Sequence, residues 1–292
     1  MSAFLEIDTL SAVLHGSSQR LLRSVRLTVD RGEVRGLVGE SGAGKSMIGK
    51  AVLGILPAAV RIVEGIIRLD GHDILAMPAS ERRRVIGATA ALIPQDPLTA
   101  LNPSRRIGPQ ITNRLVDILG WSKAAAKTRA LELLDEVHID APERVMASYP
   151  HELSGGMRQR VLIASAFAAN PKLVIADEPT TALDVTVQKQ ILKLIREMQA
   201  RHDTAMLFVT HDLGVVSKVC QKLTVLYAGK VVEDTAVAAF FEAPQHPYSK
   251  ALLAATPKYT DPFASLLPVH ESVIASANAE ITAADQEWRH GR

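Results

Sequence analysis

The chain of 292 residues holds a single cysteine, Cys220. One thiol cannot close an intramolecular disulfide, and a cysteine-ligated iron–sulfur cluster needs more ligands than it supplies. That usage fits a reducing, intracellular setting. No stretch reaches the ~18 consecutive apolar residues of a membrane-spanning helix, although 47% of the residues are hydrophobic. The apolar runs are short and read as buried strands and core helices. The opening "MSAFLEIDTL" lacks a basic segment followed by a long apolar run, so no signal peptide is expected. The chain also lacks a marked excess of either acids or bases. Lysine and arginine number 33 against 31 acids, a net of +2, which argues against a dedicated nucleic-acid binder. No internal repeat is visible. What is left is enough chain for one large or two small domains with a substantial core.

What the chain does have is alternation. "FLEI" (4–7) and "SVRLTV" (24–29) are expected to be antiparallel strands on either side of the turn-rich "HGSSQ". "EVRGLVG" (33–39) reads as a strand entering a glycine loop, and the helical spacing of "KSMIGKAVLGIL" (45–56) stops at Pro57. "ERRR" (81–84) reads as a solvated helix face. Residues 104–146 read as a mostly helical block, with Leu131, Leu134 and Val137 near one face. The helix from Met157 stops at Asn170–Pro171. "KLVIADEP" is a buried strand. Val187, Ile191, Leu194, Ile195 and Met198 form an apolar stripe behind Asp184 as N-cap. Strands alternating with helices imply an α/β fold with a largely parallel sheet. After Pro257 the pattern decays into Ala, Ser and charged residues, and 271–292 is expected to be a flexible tail.

Five patterns carry chemistry. "GESGAGKS" comprises Gly39, Glu40, Ser41, Gly42, Ala43, Gly44, Lys45 and Ser46. It fits G-x-x-x-x-G-K-[ST] between a strand and a helix, so backbone N–H groups can wrap a triphosphate. Lys45 would reach the outer phosphates and Ser46 would give a hydroxyl to Mg²⁺; a plain glycine-rich turn is the weaker alternative. "LVIADEP" (173–179) ends a strand in two acids. Asp177 would hold Mg²⁺ through its water shell, and Glu178 would polarise or deprotonate the attacking water. His211 follows the strand "MLFVT". With nine histidines in the chain, a surface role competes, but ligands gather at the C-terminal ends of parallel strands. No histidine spacing suits zinc. Gln95 stands in "PQDPLTALNP", a constrained loop, where its carboxamide could reach Mg²⁺ or the water. Finally, "HELSGGMRQR" opens a helix with Ser154, Gly155 and Gly156. Glycine costs about 1 kcal/mol relative to alanine inside a helix, and a bare helix N-terminus suits a phosphate.

Together these stretches resemble the ATP-binding cassette (ABC) family over about residues 4–254. "GESGAGKS" resembles the Walker A motif, Gln95 the Q-loop, "LSGGMRQR" the signature and "LVIADEP" Walker B. "ALD" (182–184), with Asp184, resembles the D-loop, and His211 the switch histidine. "QDPLTALNP", "THDLGVV", "VLYAGKVVE" and "HPYSKALLAATP" are further similar to ATPase subunits of bacterial oligopeptide, dipeptide and nickel importers. The last of these resembles their C-terminal extension, expected here over 235–270. The resemblance implies a P-loop NTPase core with an antiparallel β subdomain and a helical subdomain at about 104–146, and ATP hydrolysis with Mg²⁺ held by Ser46, Gln95 and Asp177. It implies that Ser154, Gly155 and Gly156 hold the γ-phosphate of an ATP bound by a second ATPase chain. The expected partners are that chain, two transmembrane permease subunits and a periplasmic or extracellular solute-binding protein, with no nucleic acid. The expected location is peripheral, on the cytoplasmic face of the bacterial inner membrane.

Three departures stand out. Many such peptide-importer subunits carry a cysteine cluster after the extension; this chain has none there, so no iron–sulfur site is carried over. Leu14 and His15 stand where an aromatic often stacks on adenine, leaving that contact unassigned. Arg35 occupies a strand position that is usually apolar. The competing readings are the same role for nickel or another small solute, a soluble cassette ATPase of DNA repair or translation, and a small-molecule kinase. The repair type is disfavoured because 47–152 shows no sustained heptads. The translation type usually carries two cassettes in one chain, and this chain has one. A kinase leaves "LSGGMRQR" unexplained.

Overall fold

The computed structural model describes residues 3–17, 19–181, 183–256 and 270–290. In chain order it begins with β1 (Leu5–Leu14), β2 (Arg20–Val29), β3 (Val34–Val38), α1 (Lys45–Val52), β4 (Val60–Leu69), β5 (His72–Asp73), α2 (Ala79–Thr89) and β6 (Ala90–Ile93). A helical run follows: α3 (Pro97–Ala100), α4 (Ile107–Asn113), α5 (Lys123–Glu136), α6 (Pro142–Ala147) and α7 (Gly155–Phe167). Then come β7 (Leu173–Asp177), α8 (Val185–His202), β8 (Ala205–Thr210), α9 (Leu213–Val219), β9 (Lys222–Tyr227) and β10 (Lys230–Ala236). The last elements are α10 (Val237–Glu242), α11 (Pro247–Ala254) and α12 (Glu271–His290).

The chain divides into two compact units. The first comprises Met1–Val29, Val34–Asp73 and Phe208–Arg292; the second comprises Asp30–Glu33 and Ile74–Leu207. β8 carries the chain from the second back into the first.

In the first unit, β2, β1, β4 and β5 form an antiparallel sheet in that order. β3 pairs parallel with β9 from Arg35↔Lys222 to Val38↔Val225. β9 turns back antiparallel into β10 through Ala228–Gly229, both at positive φ, which is the handedness a two-residue hairpin turn requires. Every residue of β3 is buried, Arg35 included. Its guanidinium is explained by β10: it donates to Asp234 Oδ1 and, at 3.3 Å, to Thr224 Oγ1. A buried cation is tolerable when it is paired in this way.

In the second unit β6 and β7 pair parallel. α8 buries Ile191, Leu192, Leu194, Ile195 and Met198 along one side, and Asp184 caps it by accepting from the N–H groups of Thr186 and Val187 at 3.0 and 2.9 Å. α5 turns Ala126, Ala130, Leu133 and Leu134 inward. Leu131, expected on that face, is only half-buried, because Leu133 is the residue in register with Ala126 and Ala130. Arg160 of α7 donates to Val137 O at 2.7 Å and so ties α7 to the end of α5.

Residues 271–290 differ from the flexible tail expected there: they form α12. Ile274, Ala277, Ile281, Ala284 and Trp288 recur at helical spacing and are all buried or half-buried. Asp285 bridges Arg20 and Arg23 of β2, Glu280 meets Lys230 and His246, and Arg20 lies over the Trp288 ring at 4.7 Å. Of the extension expected over 235–270, residues 257–269 lie outside the described residues, as do Ala182 of the "ALD" stretch and 291–292 of the tail.

Candidate functional site

The glycine loop belongs to the first unit and joins β3 to α1. Gly39 is bare because a Cβ there would lie 2.2 Å from Leu226 O. Gly44, at φ 101°, is the N-cap of α1. A side chain on it would be strained by that backbone and would press on Leu22 Cδ2 at 3.1 Å. Between them Ser41 and Gly42 are exposed at the loop's tip. Ala43 O accepts from Gly229 N at 2.8 Å, so the β9–β10 turn supports the loop from behind. Lys45 is almost completely buried and folds back over the loop, donating from Nζ to Gly39 O at 2.7 Å and to Glu40 O at 2.9 Å. The result is a cation held against two carbonyls of the glycine loop, in the first turn of α1 and so at its positive end. That combination holds anions. Ser46, half-buried, follows Lys45 in the first turn of α1.

His211 is also in the first unit, exposed at the end of β8. Its segment is fixed by Asp212, which caps α9 by accepting from Gly214 N at 2.7 Å and Val215 N at 3.2 Å.

In the second unit, β7 ends in Asp177, and Glu178 opens the turn that follows. Glu178 has φ 46°, the left-handed region that a non-glycine residue rarely adopts. Its Oε2 accepts from Gln95 Nε2 at 3.3 Å and from Thr181 Oγ1 at 2.9 Å. Two residues selected from sequence, Gln95 and Glu178, therefore meet, 83 positions apart. Thr181 was not foreseen. It is three residues past Glu178, and its hydroxyl holds one face of the carboxylate.

Ser154 caps α7, accepting from Met157 N at 3.3 Å. Gly155 and Gly156 form the first turn. A Cβ on Gly156 would make ordinary contact with Val187 Cγ1 at 3.7 Å; one on Gly155 would meet nothing within 4 Å. Neither backbone is left-handed, so the chain's own packing gives no reason for two glycines in succession. Gln159 also went unnoticed as an individual residue. Fully buried on α7, it donates from Nε2 to Pro179 O at 2.9 Å, linking the helix that carries Ser154 to the turn that carries Glu178. A glutamine on the inward side of an otherwise apolar helix is the signal that could have identified it.

Among the described residues no group of three or more His, Cys, Asp or Glu is arranged to hold a metal ion, and no helix is long and apolar enough to cross a membrane.

Comparison with known proteins identifies the family. The family model described as ABC transporter matches residues 22–181. The chain is 47% identical over 244 residues to the oligopeptide transport ATP-binding protein OppD of Bacillus subtilis, covering 83% of this chain and 68% of that protein. It is 44% identical over 259 residues to the dipeptide transport ATP-binding protein DppD of Escherichia coli, covering 88% and 79%. Among solved structures it resembles CbiO1 of Clostridium perfringens, part of the ABC transporter complex CbiONQ. The TM-score is 0.72 at 25% identity, covering 86% of this chain and 96% of that one.

Proposed function

This chain belongs to the ABC transporter family, and on that premise we propose that it is the energy-coupling ATPase subunit of a bacterial importer for di- or oligopeptides. The peptide assignment is supported by the relatives' own names, oligopeptide and dipeptide transport ATP-binding proteins. In this reading the amides of residues 39–46 and the Lys45 ammonium hold the phosphates of the chain's own ATP. Ser46, Asp177 and Gln95 would hold Mg²⁺; they offer a hydroxyl, a carboxylate and a carboxamide, the all-oxygen donor chemistry that this hard ion prefers. The metal would neutralise phosphate charge. Glu178, steadied by Gln95 and Thr181, takes a proton from the attacking water, and His211 faces the γ-phosphate.

The observation that carries the reading is the open space at Gly155. A helix N-terminus stripped of side chains without internal cause has its cause outside the chain. The γ-phosphate of an ATP bound by a second ATPase subunit fits that vacancy of purpose: Ser154 and the first amides of α7 would hold it, with the helix dipole in support. ATP then joins two chains, hydrolysis parts them, and that cycle drives two permease subunits fed by a solute-binding protein. The chain would work on the cytoplasmic face of the inner membrane, attached through those permeases.

The test is uptake of a labelled dipeptide by cells whose only copy of this subunit carries Glu178→Gln. Uptake should stop while the subunit still sediments with membranes, and sedimentation should need the permeases. Dipeptide uptake at the wild-type rate would refute the proposal.

A further inference from the structure

Tyr248, in α11 of the first unit, is completely buried, and its hydroxyl makes no hydrogen bond of ordinary geometry among the described residues. Folded proteins rarely leave such a group unsatisfied, because its desolvation is uncompensated. Its surroundings suggest what it serves. The Tyr248 ring rests against Tyr227, centroids 4.6 Å apart. Tyr227 closes β9, between Leu226, whose carbonyl occupies the side-chain space of Gly39, and the turn whose Gly229 N–H holds Ala43 O. The tyrosine pair therefore backs onto the hairpin that supports the phosphate loop.

On the loop side the hydroxyl faces Glu40. Burial first, and then the charge of the Glu40 carboxylate, push the phenol well above its ordinary value, so it is a donor at any physiological pH. The loop carbonyls next to it already serve another donor: Lys45 Nζ draws the oxygens of Gly39 and Glu40 towards itself at 2.7 and 2.9 Å. The opposite end of α11 reaches the other phosphate-facing segment of this unit. Leu252, Ala255 and Thr256 line a cavity of about 340 Å³ together with His211 and Gly214. α12 secures the assembly, since Asn278 Oδ1 accepts from Tyr227 Oη at 2.8 Å.

We propose that Tyr248 is a positioning residue for the phosphate loop. When Lys45 leaves the Gly39 and Glu40 carbonyls for a bound phosphate, the Tyr248 hydroxyl donates to a freed oxygen of Glu40, so the C-terminal helices favour the nucleotide-bound form of the loop. The proposal rests on the assignment of residues 39–46 to ATP. It gives the "HPYSKALLAATP" stretch a task in the ATPase cycle.

The test uses the full chain and Tyr248→Phe, which removes one oxygen and keeps the ring. ATP should bind about fivefold more weakly, the equilibrium worth of one net hydrogen bond. KM should rise with kcat nearly unchanged. The melting temperature without nucleotide should stay level or rise, because an unsatisfied buried hydroxyl is gone, while the gain in melting temperature on adding ATP should shrink. Tyr248→Leu, which also removes the ring, should lower the nucleotide-free melting temperature and so calibrates a purely structural loss. Unchanged ATP affinity in Tyr248→Phe overturns the proposal, as does an affinity loss that only follows a fall in nucleotide-free stability. Lys45→Ala separates the two levels. If it binds ATP normally, the assignment of the loop itself fails; if it loses ATP while Tyr248→Phe matches wild type, only the role of Tyr248 fails.

Discussion

Gly155→Asp should make the isolated chain no less stable and yet abolish its ATPase cycle. Gly155 is helical, in the first turn of α7, and a Cβ there meets nothing within 4 Å. Losing a helical glycine and gaining an acid near the positive end of the dipole should each help by a few tenths of a kcal/mol, for a total of roughly 0.5–1 kcal/mol. For a protein of this size that is a rise of roughly 1–3 °C in melting temperature. The opposing effect appears only in the ATP-bound dimer. A carboxylate about 4 Å from one phosphate charge, at an effective dielectric constant near 20, costs about 4 kcal/mol. That is roughly a thousandfold in ATP-driven association. Lys45→Ala should fail differently, by losing ATP in the monomer. Three measurements on dilute protein suffice: thermal unfolding, ATP titration, and sedimentation with and without ATP using a hydrolysis-deficient background. If Gly155→Asp weakens monomer binding as much as Lys45→Ala does, the helix serves its own nucleotide and the shared-site argument is wrong.

Glu178→Gln should lower hydrolysis roughly 10²–10⁴-fold, the usual worth of general-base help, while ATP binding survives; near-normal turnover would remove Glu178 from the role. Cys220→Ser should leave the ATPase rate intact and the purified wild-type chain should hold no iron or acid-labile sulfide; stoichiometric amounts of either would contradict this. The Arg35–Asp234 pair should respond asymmetrically, because the Arg35 side chain is 3% exposed and that of Asp234 41%. Asp234→Ala removes the carboxylate paired with a buried cation and should cost about 3 kcal/mol, whereas Arg35→Met leaves an acid that water can reach and should cost about 1 kcal/mol or less; equal losses in urea unfolding would refute the account. Burial would raise the Glu233 pKa, but the Ser249 hydroxyl and the N–H groups of Gln245 and His246 outweigh it and hold it below its ordinary value. A depressed pKa contributes stability above the unfolded-state value that is lost as the pH falls through the folded one, so wild type should lose stability on acidification more steeply than Glu233→Gln; parallel acid unfolding curves would count against that.

What could be read from the sequence is what is local. The glycine loop announces itself because two of its conformations exclude side chains within a few residues of chain, and Asp184 because a cap acts on amides two and three positions away. Arg35 could not be explained that way: its partner Asp234 is 199 residues distant, and alone it looks like a misplaced charge in an apolar strand. α12 escaped for two reasons. Two of the five inward positions, Ala277 and Ala284, are alanines, which carry little hydropathy contrast against the serines, alanines and charges around them, and its ionic partners on β2 lie more than 260 residues away. The slip from Leu133 to Leu131 on α5 shows the same limit on a smaller scale, since adjacent leucines leave the rotation of a helix undecided until neighbours are known. The meeting of Gln95 with Glu178 was suggested only as a shared destination; the hydroxyl of Thr181 that completes it gave no spacing signal at all.

The second unit is nearly one continuous stretch, 74–207, set between the two halves of the first. That arrangement has a consequence for synthesis. β1, β2 and β3 leave the ribosome early, but β9, which pairs with β3, and Asp285, which neutralises Arg20 and Arg23, emerge only after most of the remaining chain has been made. Contacts that close so much intervening chain form slowly, so the second unit should condense while the glycine loop still waits for its supporting hairpin. A nascent chain arrested near residue 207 should then contain protease-resistant helices around α5 and α7 and a protease-sensitive N-terminal segment. ATP should protect that segment only once the residues after Phe208 have been made, which places the birth of the nucleotide site at the end of translation.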